Sequence, residues 1–438
     1  MLDIKFIREN AELVKTNAKN RLSNVDIDEL LELDKKKKEL ESKIDTLRAK
    51  RNTASKTKPT PEQIAEMKKV GDEIQKLEKE LSSIDEKFQN LLLQVPNLTH
   101  PEVKVSEDED DNVILEENPP AGGKPTKFDF EPKDHVALAE KLDLIDFERG
   151  TKVSGAKFFY FKNEVALLEL ALTHYAIDVA MKHGFTPIIT PDLAKRDILD
   201  KMGYNPRGES TQVYNIENSD LSLIGTAEIT MGGYHKDEVL KEEELPKKYV
   251  ALSHCFRTEA GAYSKFSKGI FRVHQFTKVE MFEYVTPEKS EEAHKELLEI
   301  EKEIFEGLKI PFRVIDHCTA DLGAPSYRTY DLEAWMPGKP SKEGKLGDWA
   351  EVTSTSNCTD YQSRGLNIKY QPKGSPSGNK DGVKKYLHMI NGTSIAMTRP
   401  IIAILENFQK KDGSIEIPEV LHKYLGFKEI KRKDLVSS

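Results

Sequence analysis

Two apolar seams separated by prolines constrain this chain more than any other feature. Leu30, Leu33, Leu40, Ile44, Leu47 and Ala54 recur in three- and four-residue steps, with Lys37 and Arg51 interrupting them. After "SKTKPTPEQ" the pattern resumes unbroken through Met67, Val70, Ile74, Leu77, Leu81, Ile84, Phe88, Leu91 and Val95. That period lays the side chains along one narrow stripe of a helix, and such a stripe needs a partner helix to cover it. Pro59 and Pro61 break the run, and Thr60 with Gln63 three residues later reads as an N-cap with its capping-box partner. Two seams of similar length joined by a short connector fold back on each other. The expectation is an antiparallel helical hairpin over residues 27–95, about 45 Å long at ~1.5 Å per residue. A parallel coiled-coil stalk between two chains is the alternative, and the mid-segment prolines argue against it.

The far end of this arm is basic. Between Thr46 and Pro61 there is no acidic residue, while Arg48, Lys50, Arg51, Lys56 and Lys58 are present. The whole chain carries 66 basic and 75 acidic residues, a net charge of -9, so a polyanion must be met by a local patch of this kind. A solvated helix end, whose basic last turn suits the helix dipole, explains the same charges. The arm and its surroundings give an N-terminal domain over 1–105. The acidic, Pro/Gly-bearing stretch that follows, "SEDEDDNVILEENPPAGGKP", marks a linker over 106–127. Residues 128–438 then alternate helical and strand-like runs with antiparallel hairpins, which argues α+β and not a doubly wound parallel sheet.

Several function classes drop out. Cys255, Cys318 and Cys358 are scattered without metal-ligand spacing, so neither zinc nor a disulfide framework is expected. The beginning "MLDIKFIREN" resembles neither a secretory signal nor a transit peptide, and no apolar run approaches the ~20 residues of a membrane span. A reducing, cytoplasmic setting without membrane contact is expected. Neither G-x-x-x-x-G-K-[ST] nor a strand-borne G-x-G-x-x-G is present. "KFSKG", Lys265 to Gly269, is similar to the lysine loop of class I aminoacyl-tRNA synthetases, but its companion His-x-Gly-His is missing.

The stretch "HCFRTEAGAYSKFSKGIFRVHQFTKVEMFEY", His254 to Tyr284, carries the chemistry. Read with a period of two, Arg272, His274, Phe276, Lys278, Glu280 and Phe282 share one face, and Phe271, Val273, Gln275, Thr277, Val279 and Met281 share the other. The second face suits a core. The first sets an aromatic ring among alternating charges, which does not suit an ordinary solvated strand face. Taken alone, Arg257 and Glu259 would read as a surface ion pair at i,i+2.

"FRTE", a glycine-bearing loop and "FRVHQFTKVE" resemble the second signature of class II aminoacyl-tRNA synthetases. "GFTPIITPDL" with Pro191 is similar to the first signature, and "NGTSIAMTRPIIAILENFQ" with Arg399 to the third. Together with "TAE" at Thr226, "EVTSTSN" at Glu351 and the helical arm, they resemble the seryl-tRNA synthetase family over nearly the whole chain.

That resemblance implies an antiparallel-sheet catalytic domain preceded by a tRNA-clasping arm, acting as a homodimer. The implied reaction is ATP-dependent activation of serine and its transfer to the 3' end of tRNA(Ser), with tRNA(Sec) open as a second acceptor. It places Arg257 on the α-phosphate and the serine carboxylate, and Arg399 on the γ-phosphate. Phe276 would stack on adenine, Glu259 read its amino group and Arg272 help hold phosphates, with Thr258, Val273, His274 and Gln275 beside them. A packed, hydrogen-bonded role for His274 is an equal reading. Glu351 and Ser354 would hold Mg²⁺, flanked by Val352 and Thr353, since hard oxygen ligands suit that ion. Thr226, Ala227 and Glu228 fall to the serine amino group, and Glu280, Asn391 and Thr393 to its hydroxyl. Arg48, Lys50, Arg51, Lys56 and Lys58 fall to tRNA. The tip "AYSKFSKG" lacks the Gly-Arg-Asp-Thr run of bacterial-type members, which leaves the acceptor-end contacts and the tRNA origin open, while Tyr263, Lys265, Phe266 and Lys268 still offer charge and stacking. A class II-like ligase charging a carrier protein, and a non-catalytic RNA-binding relative, are the alternatives. The arm argues against the first and the intact Arg257, Glu259, Phe276, Glu351 and Arg399 against the second.

Overall fold

The computed structural model describes residues 1–54, 60–117, 125–204, 212–259, 266–374 and 383–432. The chain forms two compact units, Met1–Leu98 and Thr99–Ser438.

In the first unit, two short helices, α1 (Ile4–Glu9) and α2 (Ala11–Asn20), precede the long pair α3 (Ile27–Ala54) and α4 (Pro61–Leu92). The apolar seams meet as the periodicity requires: Ile44, Val70 and Ile74 are buried together, with Leu47, Met67, Leu77 and Leu81 packed around them. Cross-arm ion pairs Lys37–Asp85, Arg48–Glu78 and Lys50–Glu66 run in opposite directions along the two helices, so the pair is antiparallel. Lys37, which interrupts the seam in sequence, binds Asp85 at 2.6 Å and lays its ammonium 5.1 Å from the Phe88 ring centroid. At the far end of α4 the seam departs from its expected path. Leu92 is buried where Leu91 is only partly so, because a helix drifts against a strict heptad and α4 ends at Leu92.

Thr60 caps α4 as the sequence predicts. Its hydroxyl accepts from the Gln63 amide at 3.3 Å, and Gln63 Oε1 accepts from the Thr60 amide at 2.9 Å. Thr60→Ala should cost about 1 kcal/mol, local to this end of the arm. Hydrogen exchange at the first α4 amides should quicken about fivefold while exchange near Phe88 stays unchanged.

The second unit is built on an eight-stranded sheet. Its strands are β1 (Val113–Glu117), β2 (Thr186–Ile189), β3 (Lys247–Phe256), β4 (Gln275–Val285), β5 (Phe312–Asp316), β6 (Arg328–Pro340), β7 (Leu346–Asn357) and β8 (His388–Ala396). They lie in the order β1-β5-β6-β7-β8-β4-β3-β2, antiparallel throughout except that β2 runs parallel to β3. Helices α5 (Asn163–Lys182), α7 (Ser290–Leu308) and α8 (Thr398–Asn407) supply Leu168, Leu172, Leu297, Ile304, Ile401 and Leu405 to the main core. Val279 and Met281 of β4 face that core, while Phe282 joins a second cluster with Met202 and Ala227. Ala227 begins the short helix α6 (Ala227–Gly233). Each such side chain, fully buried, contributes roughly 1.5–3 kcal/mol.

Part of the acidic segment expected as a linker is an edge strand. Val113–Glu117 pairs with Phe312–Asp316, and Glu116 takes the Lys302 ammonium at 2.9 Å. Its hydrophobic residues Val113, Ile114 and Leu115 stay exposed, so composition made it look like a connection. Acids on an outer strand also blunt edge-to-edge pairing.

Candidate active site

A cleft of about 420 Å³ is walled by β4, β7, β8, Arg257 and Glu259 beyond the end of β3, and the first turn of α8. Strand register brings distant residues side by side. Glu280 on β4 sits between Ala251 of β3 and Thr393 of β8, and Asn391 lies opposite Phe282. Arg257 follows the end of β3, and Arg399 sits in α8 directly after β8.

Three arginines, a lysine and four glutamates line this one cleft. Arg399 donates to the Glu351 carbonyl at 2.7 Å and holds its carboxylate at 3.0 Å. Crowding by protein pushes the Glu351 carboxyl up, but the Arg399 guanidinium outweighs it and pulls the pKa down to about 2. Arg272 reaches Glu259 at 3.3 Å, and Lys278 is ion-paired with Glu280. Arg257 donates from Nε to the Gly225 carbonyl at 3.2 Å and stands 5.3 Å over the Phe276 ring. Among the described residues no carboxylate lies within ion-pair distance of it. Phe271 is covered in the same way by Arg399, at 4.9 Å.

The two buried carboxylates of the inner end differ. Burial raises the Glu280 carboxyl while the Lys278 ammonium opposes the rise. Glu228 accepts from the Tyr204 hydroxyl at 2.6 Å and from Gln362 Nε2 at 2.8 Å. At the outer end His317 lies 2.9 Å from Asp331. Burial opposes its charge, but the Asp331 and Asp321 carboxylates overcome this and raise the imidazole pKa to about 10.

Of the residues expected here, the cleft brings together Glu228, Arg257, Glu259, Arg272, Val273 and Phe276 with Glu280, Glu351, Val352, Thr353, Ser354, Asn391, Thr393 and Arg399. Others take different places. Thr226 is buried as the N-cap of α6, where its hydroxyl accepts from the Glu228 amide at 3.3 Å and from Lys278 Nζ at 3.1 Å. With both lone pairs engaged, that hydroxyl is not an acceptor for an ammonium group. Ala227 is wholly buried behind it. His274 donates from Nδ1 to the Arg257 carbonyl at 2.8 Å and packs on Phe158, so it positions Arg257 and does not wall the cleft. Thr258 bonds through its amide to the Gln212 carbonyl, and Gln275 is exposed; neither lines the cleft. Regular alternation also begins later than expected: β4 starts at Gln275, and Arg272 comes from the returning loop. Lys278 and Glu280 are covered by protein and by each other, 9% and 1% exposed, not by a ligand alone. On the arm, Arg48 and Lys50 are already paired with Glu78 and Glu66, whereas Arg51 is exposed. Lys56 and Lys58 lie outside the described residues, as do Tyr263 and Lys265 of the loop tip.

A model described as the tRNA synthetase class II core domain (G, H, P, S and T) matches residues 212–408, and one described as the seryl-tRNA synthetase N-terminal domain matches residues 1–99. A serine–tRNA ligase of Treponema denticola is 52% identical over 437 residues, which cover 98% of this chain and 100% of that protein. The chain belongs to the seryl-tRNA synthetase family. Its fold is that of a seryl-tRNA synthetase from Pyrococcus horikoshii crystallised with ATP, at a TM-score of 0.85 and 39% identity over 99% of this chain and 100% of the other. A cytoplasmic serine–tRNA ligase from Naegleria fowleri, in complex with AMP, superposes at 0.81 with 32% identity over 99% of both chains.

Within this seryl-tRNA synthetase framework, the sequence signatures passed over Tyr204, Lys278, His317 and Gln362. Lys278 had a signal, since it alternates in phase with Glu280. His317 and Asp331 had none, because their contact arises from the β5–β6 pairing that also sets Asp331 opposite Ser354 on β7. Among the described residues no group of three His, Cys, Asp or Glu side chains could hold a metal ion. Glu351 and Ser354 still fit Mg²⁺, which commonly takes one or two protein oxygens and completes its shell with phosphates and water.

Proposed function

We propose that this chain activates serine with ATP to seryl-adenylate in the central cleft, then transfers the seryl group to the 3' end of tRNA(Ser). The observation that carries the reading is a cation without a carboxylate partner among the described residues, Arg257, facing the same cleft as Arg399. A bound triphosphate and an amino-acid carboxylate are the anions that such a pair of guanidiniums suits. Arg257 takes the α-phosphate and the serine carboxylate, and Arg399 takes the γ-phosphate end. Phe276 supports adenine, with Glu259 and Arg272 beside it. Glu228 meets the serine ammonium, and Glu280, Asn391 and Thr393 meet its hydroxyl. Glu351 and Ser354 would hold Mg²⁺, whose chemistry is to neutralise and orient the phosphates. The serine carboxylate attacks the α-phosphorus, forming a P–O bond as the bond to pyrophosphate breaks. A ribose hydroxyl of the terminal adenosine then attacks the seryl carbonyl and releases AMP. The ionised nucleophile needs no protein base in the first step, so positioning and charge do most of the work. Rejection of alanine follows from the polar groups it would leave unpaired.

Exchange of pyrophosphate into ATP, run with each of the twenty amino acids and followed by charging of total tRNA, tests this. Serine alone should support exchange and serine acceptors alone should be charged. Exchange driven equally by another amino acid would overturn the reading.

The arm, in the first unit Met1–Leu98 where the sequence suggested 1–105, is proposed to grip tRNA phosphates, and the second unit, which takes in the edge strand before residue 128, to carry catalysis. Because Arg48 and Lys50 must first leave Glu78 and Glu66, Arg51 should contribute most among the described cations. Arg51→Glu should lower kcat/KM for tRNA charging about tenfold and leave serine-dependent exchange unchanged. The salt dependence of tRNA binding should lose roughly 0.7–0.9 of slope for each phosphate contact removed. A homodimer fits the exposed apolar side chains near the first signature: Leu167 and Leu170 of α5, Ile189 at the end of β2, and Leu193. Among the described residues no helix is long and apolar enough to cross a membrane, and we place the protein in the cytoplasm.

A further inference from the structure

Glu228 is held by two side chains that no signature marks. Tyr204 Oη donates to its Oε2 at 2.6 Å, and Gln362 Nε2 donates to its Oε1 at 2.8 Å. Gln362 Nε2 also donates to the Met202 carbonyl at 3.1 Å, which fixes the amide in turn. Gln362 is fully buried in the helix Tyr361–Leu366, while Tyr204 forms part of the cleft wall. Burial, with the Glu228 charge beside it, pushes the Tyr204 hydroxyl well above the ordinary phenol range, so it remains a donor. A carboxylate offers about four lone-pair positions, and these two bonds leave about half for a ligand.

Charge balance singles out this carboxylate. Glu280 in the same subsite is already neutralised by Lys278. Among the described residues no cation lies within ion-pair distance of Glu228. Its negative charge is therefore the one left for an incoming cation.

We propose that Tyr204 and Gln362 are positioning residues that aim Glu228 at the ammonium group of the amino acid. They act through Glu228, and so decide that the subsite demands an amine beside the hydroxyl and carboxylate. This rests on the role given to Glu228 above.

Three small molecules separate this role from a merely structural one: L-serine as substrate, serinol as an inhibitor that keeps the amine but lacks the carboxylate, and L-glycerate as one that keeps the carboxylate but lacks the amine. In Tyr204→Phe, the KM for serine and the Ki for serinol should each rise about tenfold, as for loss of one hydrogen bond to a charged group. The Ki for glycerate and the KM for ATP should stay within about twofold. Gln362→Met should give the same pattern, and it carries the test if Tyr204→Phe fails to fold. An equal rise for all three compounds, or no rise for any, would overturn the proposal. Wild-type protein without serine-dependent exchange would instead overturn the reading of the site itself.

Discussion

Arg257→Ala should lower kcat/KM for serine-dependent pyrophosphate exchange by about 10²–10³-fold, the range seen when one preorganised charge-stabilising donor is removed. The guanidinium contributes little to folding. Among the described residues it makes one side-chain hydrogen bond, to the Gly225 carbonyl, lies against Phe276, and is within ion-pair distance of no carboxylate. Thermal stability should therefore change little, because Arg257 acts on the Glu280 and Glu351 carboxylates only at longer range. Arg257→Lys should recover only part of the rate, since an ammonium cannot bridge two anions as a planar fork does. Arg399→Ala should behave differently. It strips Glu351 of the partner that keeps its carboxyl at about 2, so it leaves an uncompensated acid facing the phosphates and raises the KM for ATP as well. Exchange at the wild-type rate in Arg257→Ala would refute the assignment of this cleft.

Local chemistry explains what the sequence made legible. The arm was readable because a seam and its cap are short-range: Thr60 and Gln63 are three residues apart, and each apolar side chain finds its neighbour by helical period. The hairpin between β3 and β4 was readable for a similar reason, as alternation on one strand largely decides which side chains share a face. Contacts made across the fold were not readable. Asp85 meets Lys37 from the opposite helix, and Tyr204 and Gln362 reach Glu228 across 24 and 134 residues. Thr226 shows the limit most clearly. Its triplet marked a substrate-facing group, but its hydroxyl turned inward to cap α6 and hold Lys278. The acidic stretch misled for another reason: composition reports solubility, and an edge strand with one open face is as soluble as a linker.

The Lys278–Glu280 pair should give the largest change in stability. Lys278 is the only cation ion-paired with Glu280 among the described residues, it also donates to Thr226, and both charges are nearly sealed from solvent. Lys278→Met keeps the length of the side chain but leaves Glu280 buried and uncompensated, a loss of roughly 3–5 kcal/mol for half of such a pair. Urea unfolding followed by near-ultraviolet dichroism should show it as an earlier transition of the second unit. Burial already raises the Glu280 carboxyl, with Glu228 adding to the rise, and loss of the opposing ammonium raises it further. Any remaining serine activation should then climb with pH, because the hydroxyl-reading carboxylate ionises later than in the wild type. Adding Glu280→Gln removes the stranded charge, so the double variant should regain most of the lost stability while exchange stays low. Recovery of both together would mean the pair serves packing alone. Recovery of neither would mean that the bond from Lys278 to Thr226 at the cap of α6 matters more than the charge of Glu280.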